Sequence, residues 1–155
     1  MSQLPNTLQP VERAISDLRR GATIVLMGDN HALLVQAAEG TTTSGLARIS
    51  GLSKSTTALL VTARRAAILR LSEKSEGAVR LSLSGGVTAD TVRMMADPAV
   101  PRSDTETLPQ PISISHIDPD TVPGAAEIGA IELLKLACLL PAAVVATIPV
   151  ERLAY

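Results

Sequence analysis

The spacing of apolar residues changes repeatedly along this chain, and that alternation most constrains its fold. Residues 11–18 place apolar side chains at i, i+3, i+4 and i+7, which predicts an amphipathic helix. Short apolar runs at 23–27 and 32–38 follow, and they predict two strands joined by a tight turn. Repeated alternation of helices and strands predicts an α/β (α+β) domain with a mixed sheet flanked by helices.

The rest of the chain continues this alternation. The further predicted elements are a helix over 41–50, a strand over 57–62, a short helix capped by Thr62, a strand over 79–83, a helix over 88–96, a strand over 112–115, a helix over 125–140 and a strand over 142–148. Four prolines and no hydrophobic period indicate a loop or flap over 97–111. We expect a single domain over 11–150, a polar tail over 1–10, and the start of a linker at 151–155.

The composition bounds both the core and the partners. With 46% hydrophobic residues but no Phe, no Trp and one Tyr at the last position, the core must be aliphatic. A net charge of −1 and the lack of aromatic side chains argue against nucleic-acid binding. The longest apolar run, 136–150, contains two prolines and is too short to span a membrane. No secretory signal pattern opens the chain, so we expect a cytoplasmic protein.

Two groups of polar residues could form binding sites. Ser84, Gly85 and Gly86 precede the helix that begins at Thr88, and their backbone amides could bind an anion. A glycine turn explains the same residues. Arg64, Arg65 and Arg70 could contact a phosphate, but the solvated face of a short helix is the favoured interpretation.

Two further groups contain metal-ligand side chains. Asp29-Asn30-His31 could be part of a metal site, although Asp and Asn are ordinary turn formers. The segment 116–120, which holds His116 and two aspartates, is similarly interpreted as a surface turn. Cys138 falls in the apolar stripe of the helix over 125–140 and is predicted to be an inert core residue.

The C-terminal part of the chain carries the residues of a recognisable motif. Gly124-Ala125-Ala126-Glu127 opens the apolar stretch 128–140, and Pro-Ala-Ala-Val-Val-Ala-Thr follows at 141–147. This order resembles the closing segment of 3,4-dihydroxy-2-butanone 4-phosphate synthases, in which Gly-His-Thr-Glu-Ala leads into a helix and then a Pro-Ala-Gly-Val strand. Ala125 stands where that family has a metal-binding histidine.

Weaker matches extend the resemblance over approximately residues 11–148. Residues 11–21 are similar to the opening helix of the family, and 58–62 with Arg65-Ala66 to a later strand and helix. Gly86-Val87-Thr88 resembles the family's Gly-Val-Thr-Thr-Gly loop. The resemblance implies the synthase fold, with its mixed sheet and flanking helices.

The same resemblance implies that the synthase active site is lost. Asp29-Asn30-His31 stands in place of the family's acidic Arg-Glu-Asn-Glu-Gly-Asp loop, and Thr147 replaces the glutamate that closes the last strand. Magnesium requires oxygen ligands in near-octahedral geometry. We therefore expect no catalytic residue and no bound metal in this chain. A remnant site could persist at Asp29, His31 and Glu127.

A degenerate synthase-like domain also occurs at the N-terminus of one group of bacterial GTP cyclohydrolase II proteins. The leading hypothesis is therefore a non-catalytic structural or regulatory N-terminal domain of such a riboflavin biosynthesis protein. The resemblance implies a homodimer, with a cyclohydrolase domain in the same polypeptide. No cofactor is expected in this chain, and zinc only in that following domain.

Two alternatives remain open. One is a sugar-phosphate lyase whose metal site is rebuilt from Asp29, His31, His116 and Glu127. The other is a small-molecule sensor with a ligand near Ser84–Thr88.

Overall fold

A computed structural model describes residues 8–28, 31–53, 56–74, 76–83, 87–100, 111, 113–120 and 124–153. Its strands are β1 Ile24–Met27, β2 His31–Ala37, β3 Ala58–Thr62, β4 Ala78–Ser82, β5 Ser113–Ile117 and β6 Ala142–Pro149. Its α-helices are α1 Leu8–Arg19, α2 Thr43–Ser53, α3 Ala63–Ile68, α4 Ala89–Ala96 and α5 Ala125–Leu136, and short 3-10 helices cover Ala38–Gly40 and Val150–Leu153. Each helix and strand expected from the sequence has a counterpart. In the described part of the chain, no helix could cross a bilayer.

The strands form one sheet in the order β1-β2-β6-β3-β4-β5. The α/β (α+β) class with flanking helices is confirmed. Each pairing between described strands is antiparallel, whereas we expected a mixed sheet. The connection through α2 does return β3 parallel to β2, but β6 lies between these two strands and pairs antiparallel with both.

Helices cover both faces of the sheet, and each face has its own aliphatic core. On the face covered by α1 and α5, here called the α5 face, Leu18, Ile131 and Leu134 pack on Leu33, Val35, Leu60 and Val145. On the opposite face, here called the α4 face, Ile49, Ala66, Val92 and Met95 from α2, α3 and α4 pack on Leu59, Val61, Leu81 and Val144. The aliphatic core expected from the composition is confirmed.

The opening helix starts earlier than the sequence pattern indicated. The opening helix begins at Leu8, three residues earlier than the pattern indicated, with Pro10 in its first turn, where a missing amide costs little. It ends at Arg19, and Gly21 just beyond it has a φ of 77°, the left-handed conformation that favours glycine. At the other end of the domain, Leu153 packs against the α4-face core.

The last helix is shorter than predicted, and this changes the environment of Cys138. Helix α5 ends at Leu136 instead of residue 140. Cys138 has a left-handed φ of 59°, and the amide of Leu139 donates to the carbonyl of Leu134, which closes the helix. The prediction of a core cysteine is wrong, because this turn leaves Cys138 exposed.

The arginines near α3 also differ from expectation. Arg64 and Arg70 are exposed, in agreement with a solvated helix face. Arg65 is half-buried, and its guanidinium donates to the carbonyl oxygens of Met95 at 2.7 Å and Met94 at 3.2 Å. These carbonyls lie at the C-terminal end of α4, where they lack partners within the helix. Arg65 therefore joins α3 to α4, a role that sequence spacing did not indicate.

Candidate functional site at the start of helix α5

The start of α5 is held over the sheet by a buried ion pair. Glu127, in the first turn of α5, is only 6% exposed. Its Oε1 accepts a hydrogen bond of 3.3 Å from Nη1 of Arg80, the middle residue of β4. A buried carboxylate is costly unless it is paired, so this contact fixes where α5 begins.

The second carboxylate oxygen of Glu127 takes no part in this ion pair. This Oε2 atom is buried and has no hydrogen-bond partner among the described residues. Gly124, the N-cap of α5, lies beside it with a φ of 106°. A Cβ at Gly124 would meet Cγ2 of Ile117 at 2.5 Å and Glu127 Oε2 at 3.9 Å. Glycine at this position therefore allows the helix start to approach β5 closely.

The positions that differ from the synthase motif offer few side-chain atoms that could coordinate a metal ion. Ala125 is exposed at the start of α5 and presents only a methyl group. Thr147 is half-buried on β6, opposite Leu33 of β2. Glu127, the acidic residue retained from the motif, already shares one oxygen with Arg80. What remains can accept one hydrogen bond from a donor but does not present several oxygens to one ion.

A comparison with known sequences identifies a similar protein. The GTP cyclohydrolase-2 of Azospirillum brasilense is 34% identical over 140 residues, which are 90% of this chain and 35% of that protein. The chain thus spans about a third of the length of the curated relative that it matches. None of the known protein-family models matches the sequence.

Solved structures decide the fold. A cation-free 3,4-dihydroxy-2-butanone 4-phosphate synthase aligns with a TM-score of 0.64 at 23% identity, over 89% of this chain and 74% of that one. A two-domain synthase from A. baumannii aligns with a TM-score of 0.61 at 21% identity, over 89% of this chain and 47% of that one. This chain has the 3,4-dihydroxy-2-butanone 4-phosphate synthase fold. The resemblance stated from the sequence is confirmed.

The other predicted site residues are dispersed over the fold. Asp29 lies outside the described residues. His31 begins β2, six residues along the strand from Ala37, which lies in the same row across the sheet as Arg80. Strand spacings place the Cα atoms of His31 and Arg80 roughly 24 Å apart. The structure therefore does not bring His31 close to Glu127, which binds Arg80.

His116 is also separated from Glu127. It lies on β5 next to Ile117, whose side chain packs in the α5-face core. Because successive strand residues face opposite ways, His116 points to the α4 face, while Glu127 lies on the α5 face. The imidazole Nε2 lies 2.7 Å from the carbonyl oxygen of Glu76. The rebuilt metal site considered above would need these separated side chains to converge.

The anion-binding hypothesis rests mainly on residues outside the described part of the chain, namely 84–86. Thr88 is described, and its Oγ1 accepts a hydrogen bond of 3.2 Å from the amide of Thr91. It also lies 3.0 Å from the Thr91 hydroxyl. Thr88 thus caps α4, which begins one residue later than predicted. An anion site at Ser84, Gly85, Gly86 and Thr88 stays a prediction.

Arg80 was not singled out from the sequence. The alternation over 79–83 placed it on the polar side of a half-buried strand, as if facing solvent. In the fold that side is covered by α5. Arg80 is therefore largely shielded from water, with 19% of its side-chain surface accessible. The available signal was Glu127, an acidic residue inside a predominantly apolar helix, which needs a cationic partner if that helix is buried.

Proposed function

We propose that this synthase-like domain is a non-catalytic structural or regulatory domain of a GTP cyclohydrolase II-type riboflavin biosynthesis protein. The sequence match to a GTP cyclohydrolase-2 supports the pathway and the parent protein. The match covers 35% of that relative, which is consistent with further domains in one polypeptide. A place at the N-terminus, ahead of the cyclohydrolase domain, follows from the resemblance described above.

The loss of synthase chemistry is supported by the start of α5. Ala125 occupies the position of the family's metal-binding histidine, and its methyl group cannot coordinate an ion. Glu127, which is retained, is buried and bound to Arg80 instead of lying open to a substrate. Deprotonation of a sugar phosphate requires a base within reach of the substrate and, in this family, a divalent metal. The residues at this helix start support neither role.

What remains for the domain is packing against neighbours in the same protein. We propose that it forms a homodimer in the cytoplasm, as the resemblance implies, and that it contacts the cyclohydrolase domain. The chain itself would hold no cofactor, and zinc would belong to the cyclohydrolase domain.

A direct assay tests the non-catalytic part of this proposal. Purified chain is incubated with ribulose 5-phosphate and magnesium, and formate release is measured over time. We expect no release above the protein-free blank, while an active synthase in the same buffer serves as the positive control. Formate released at a rate proportional to the concentration of this chain would contradict the proposal.

Two binding measurements separate the alternatives. A rebuilt lyase requires a bound divalent ion, so calorimetric titration with magnesium, manganese and zinc should show binding if it exists; we expect none. A sensor domain should gain thermal stability in the presence of its ligand. A reproducible rise in Tm with GTP, a flavin or a sugar phosphate would favour the sensor over the structural domain.

A further inference from the structure

A cleft lies between α5, the end of β3 and the start of β4, and is here called the α5 cleft. It is lined by residues 62–64 and 77–78, by Pro119, and by one side of α5. Its volume is about 400 Å³, within the range of about 300 to 1,000 Å³ that is typical of small-molecule sites. Neither Glu127 nor Thr88 is among its described lining residues, so the cleft is separate from the sites considered above.

The cleft is open because the residues opposite α5 are small. On the sheet side, Ala63, Gly77 and Ala78 contribute only a methyl group or a hydrogen atom. On the helix side, Ile128 and Ile131 form an apolar wall. Ile131 is only 5% exposed, whereas Ile128 is half-buried. Apolar atoms gain dispersion energy from close neighbours, so a ligand with an apolar body would fill a gap that the chain itself leaves open.

The rim of the α5 cleft carries an excess of positive charge. Arg64 of α3 lies on one wall, and Glu132 and Lys135 of α5 lie on the other. Lys135 Nζ donates to Glu132 Oε1 at 3.1 Å, so these two charges offset each other. Arg64 is exposed, and its guanidinium has no hydrogen-bond or ion-pair partner among the described residues. One uncompensated cation with five N–H donors therefore lines the cleft.

We propose that the α5 cleft binds a small organic anion with a carboxylate or phosphate head and an apolar body. The head lies at the rim, where the Arg64 guanidinium can donate two parallel hydrogen bonds to two of its oxygens. The body lies against Ile128 and Ile131, as the apolar part of a ligand usually does in such sites. A cationic ligand would be repelled by Arg64, and a wholly polar one would leave the apolar wall uncovered. The inference goes beyond the proposed structural role and does not depend on it.

The first test changes the charge of the rim. Anilinonaphthalene sulfonate is an organic anion whose fluorescence rises in apolar surroundings, and its titration into the purified chain should give a dissociation constant of about 0.1 mM. Arg64→Glu should weaken this binding at least about fivefold, because a carboxylate repels the sulfonate. Arg70→Glu is the matched control, since Arg70 is also an exposed arginine near α3 but is not among the described lining residues. It should leave the binding unchanged.

The second test separates the head of the ligand from its body. Phenylnaphthylamine is the same probe without the sulfonate, so Arg64→Glu should leave its binding unchanged. Ile128→Asn should weaken the binding of both probes at least about threefold, because it removes part of the apolar wall. Leu136→Asn is the control, since Leu136 belongs to the same helix, is 61% exposed and is not among the described lining residues. Circular dichroism and thermal unfolding establish that each variant is folded at the temperature of the titration.

A competition experiment identifies the head group. Hexyl phosphate and heptanoate have similar apolar chains and differ in the anion that they carry. At concentrations up to about 10 mM, at least one of them should displace anilinonaphthalene sulfonate from the unaltered chain. The stronger competitor shows whether the α5 cleft prefers a phosphate or a carboxylate. Displacement by neither compound overturns the inference.

The variants give two further ways to overturn it. Binding of the sulfonate that withstands both Arg64→Glu and Ile128→Asn would show that the probe binds elsewhere on the chain. An equal loss of both probes in Arg64→Glu would show that the charge of the rim does not select an anion. If Ile128→Asn does not fold, the comparison of the two probes on Arg64→Glu still decides. The formate assay uses the unaltered chain without these probes, so the non-catalytic proposal stands or fails independently.

Discussion

The two edge strands of the sheet differ in polarity. On one edge β5 reads Ser-Ile-Ser-His-Ile, and only Ile117 is buried. The Ser113 hydroxyl donates to that of Ser82 at 2.9 Å, and His116 lies 2.7 Å from the carbonyl oxygen of Glu76. On the other edge, β1 is wholly apolar. Among the described strands, therefore, one edge of the sheet is polar and the other is apolar, and an apolar edge is the more prone to pair with another strand.

The connections next to the two edges also differ in how much they depend on glycine. Gly77 precedes β4 with a φ of 87°, and a Cβ there would lie 2.1 Å from the carbonyl oxygen of Ile117 on β5. Gly28 lies in the turn between β1 and β2, and its Cβ would lie 2.8 Å from the carbonyl oxygen of His31. The β5 edge is therefore built on the closer backbone approach.

The largest expected effect is a loss of stability at the β5 edge when Gly77 is replaced. Gly77→Ala should lower the free energy of unfolding by about 3 kcal/mol, because it combines a backbone clash with an unfavourable φ. Gly28→Ala should cost only about 1 kcal/mol, since its clash is milder and its φ lies outside the left-handed region. Urea unfolding followed by circular dichroism measures both. Equal losses would show that the two edges are equally constrained.

An intermediate effect is expected from the ion pair that holds α5 over β4. Arg80→Met leaves the Glu127 carboxylate buried without its partner and should lower the free energy of unfolding by about 2 kcal/mol. Lys135→Met is the control, because it removes an exposed pair with Glu132 and should change stability by less than about 0.5 kcal/mol. Unfolding curves for both variants give the difference. Similar values would mean that Glu127 is well solvated.

The smallest effect concerns the other end of α5, which lies towards α1 and the β1 edge. There Arg19 Nε donates to the carbonyl oxygen of Ala137 at 2.9 Å. Cys138→Gly removes a Cβ from a left-handed residue and should raise the free energy of unfolding by about 1 kcal/mol. Ala137→Gly, at a residue with right-handed φ and ψ, should lower it. A loss of stability in Cys138→Gly would show that the Cys138 side chain makes a stabilising contact.

The sequence predicted local structure better than contacts between distant elements. The threonine cap at Thr62 follows from a few neighbouring residues, and it is present. The antiparallel sheet could not be predicted, because the insertion of β6 between β2 and β3 depends on pairings across more than 80 residues. Exposure of Cys138 depends on a helix that stops early without a glycine, for which the pattern gave no signal.

At the candidate site, too, local features were predicted and the long-range contact was not. Gly124 and Glu127 were recognisable as motif residues, and their place at the start of α5 was predicted. The partner of Glu127 was not, because Arg80 is 47 residues away and only the docking of α5 brings the two charges together. Pairing of buried charges depends on tertiary structure, so spacing within one element cannot reveal it.

The central place of β6 bears on how the domain is made. Without this strand, β1-β2 and β3-β4-β5 share no described pairing and are two separate small sheets. Neither can be completed as one layer until residues 142–149 have been synthesised, so ribosome-bound chains lacking them would expose the inner edges of both halves. Closure of the sheet therefore has to wait for β6, and we expect slow decoding of this strand to prolong the aggregation-prone stage.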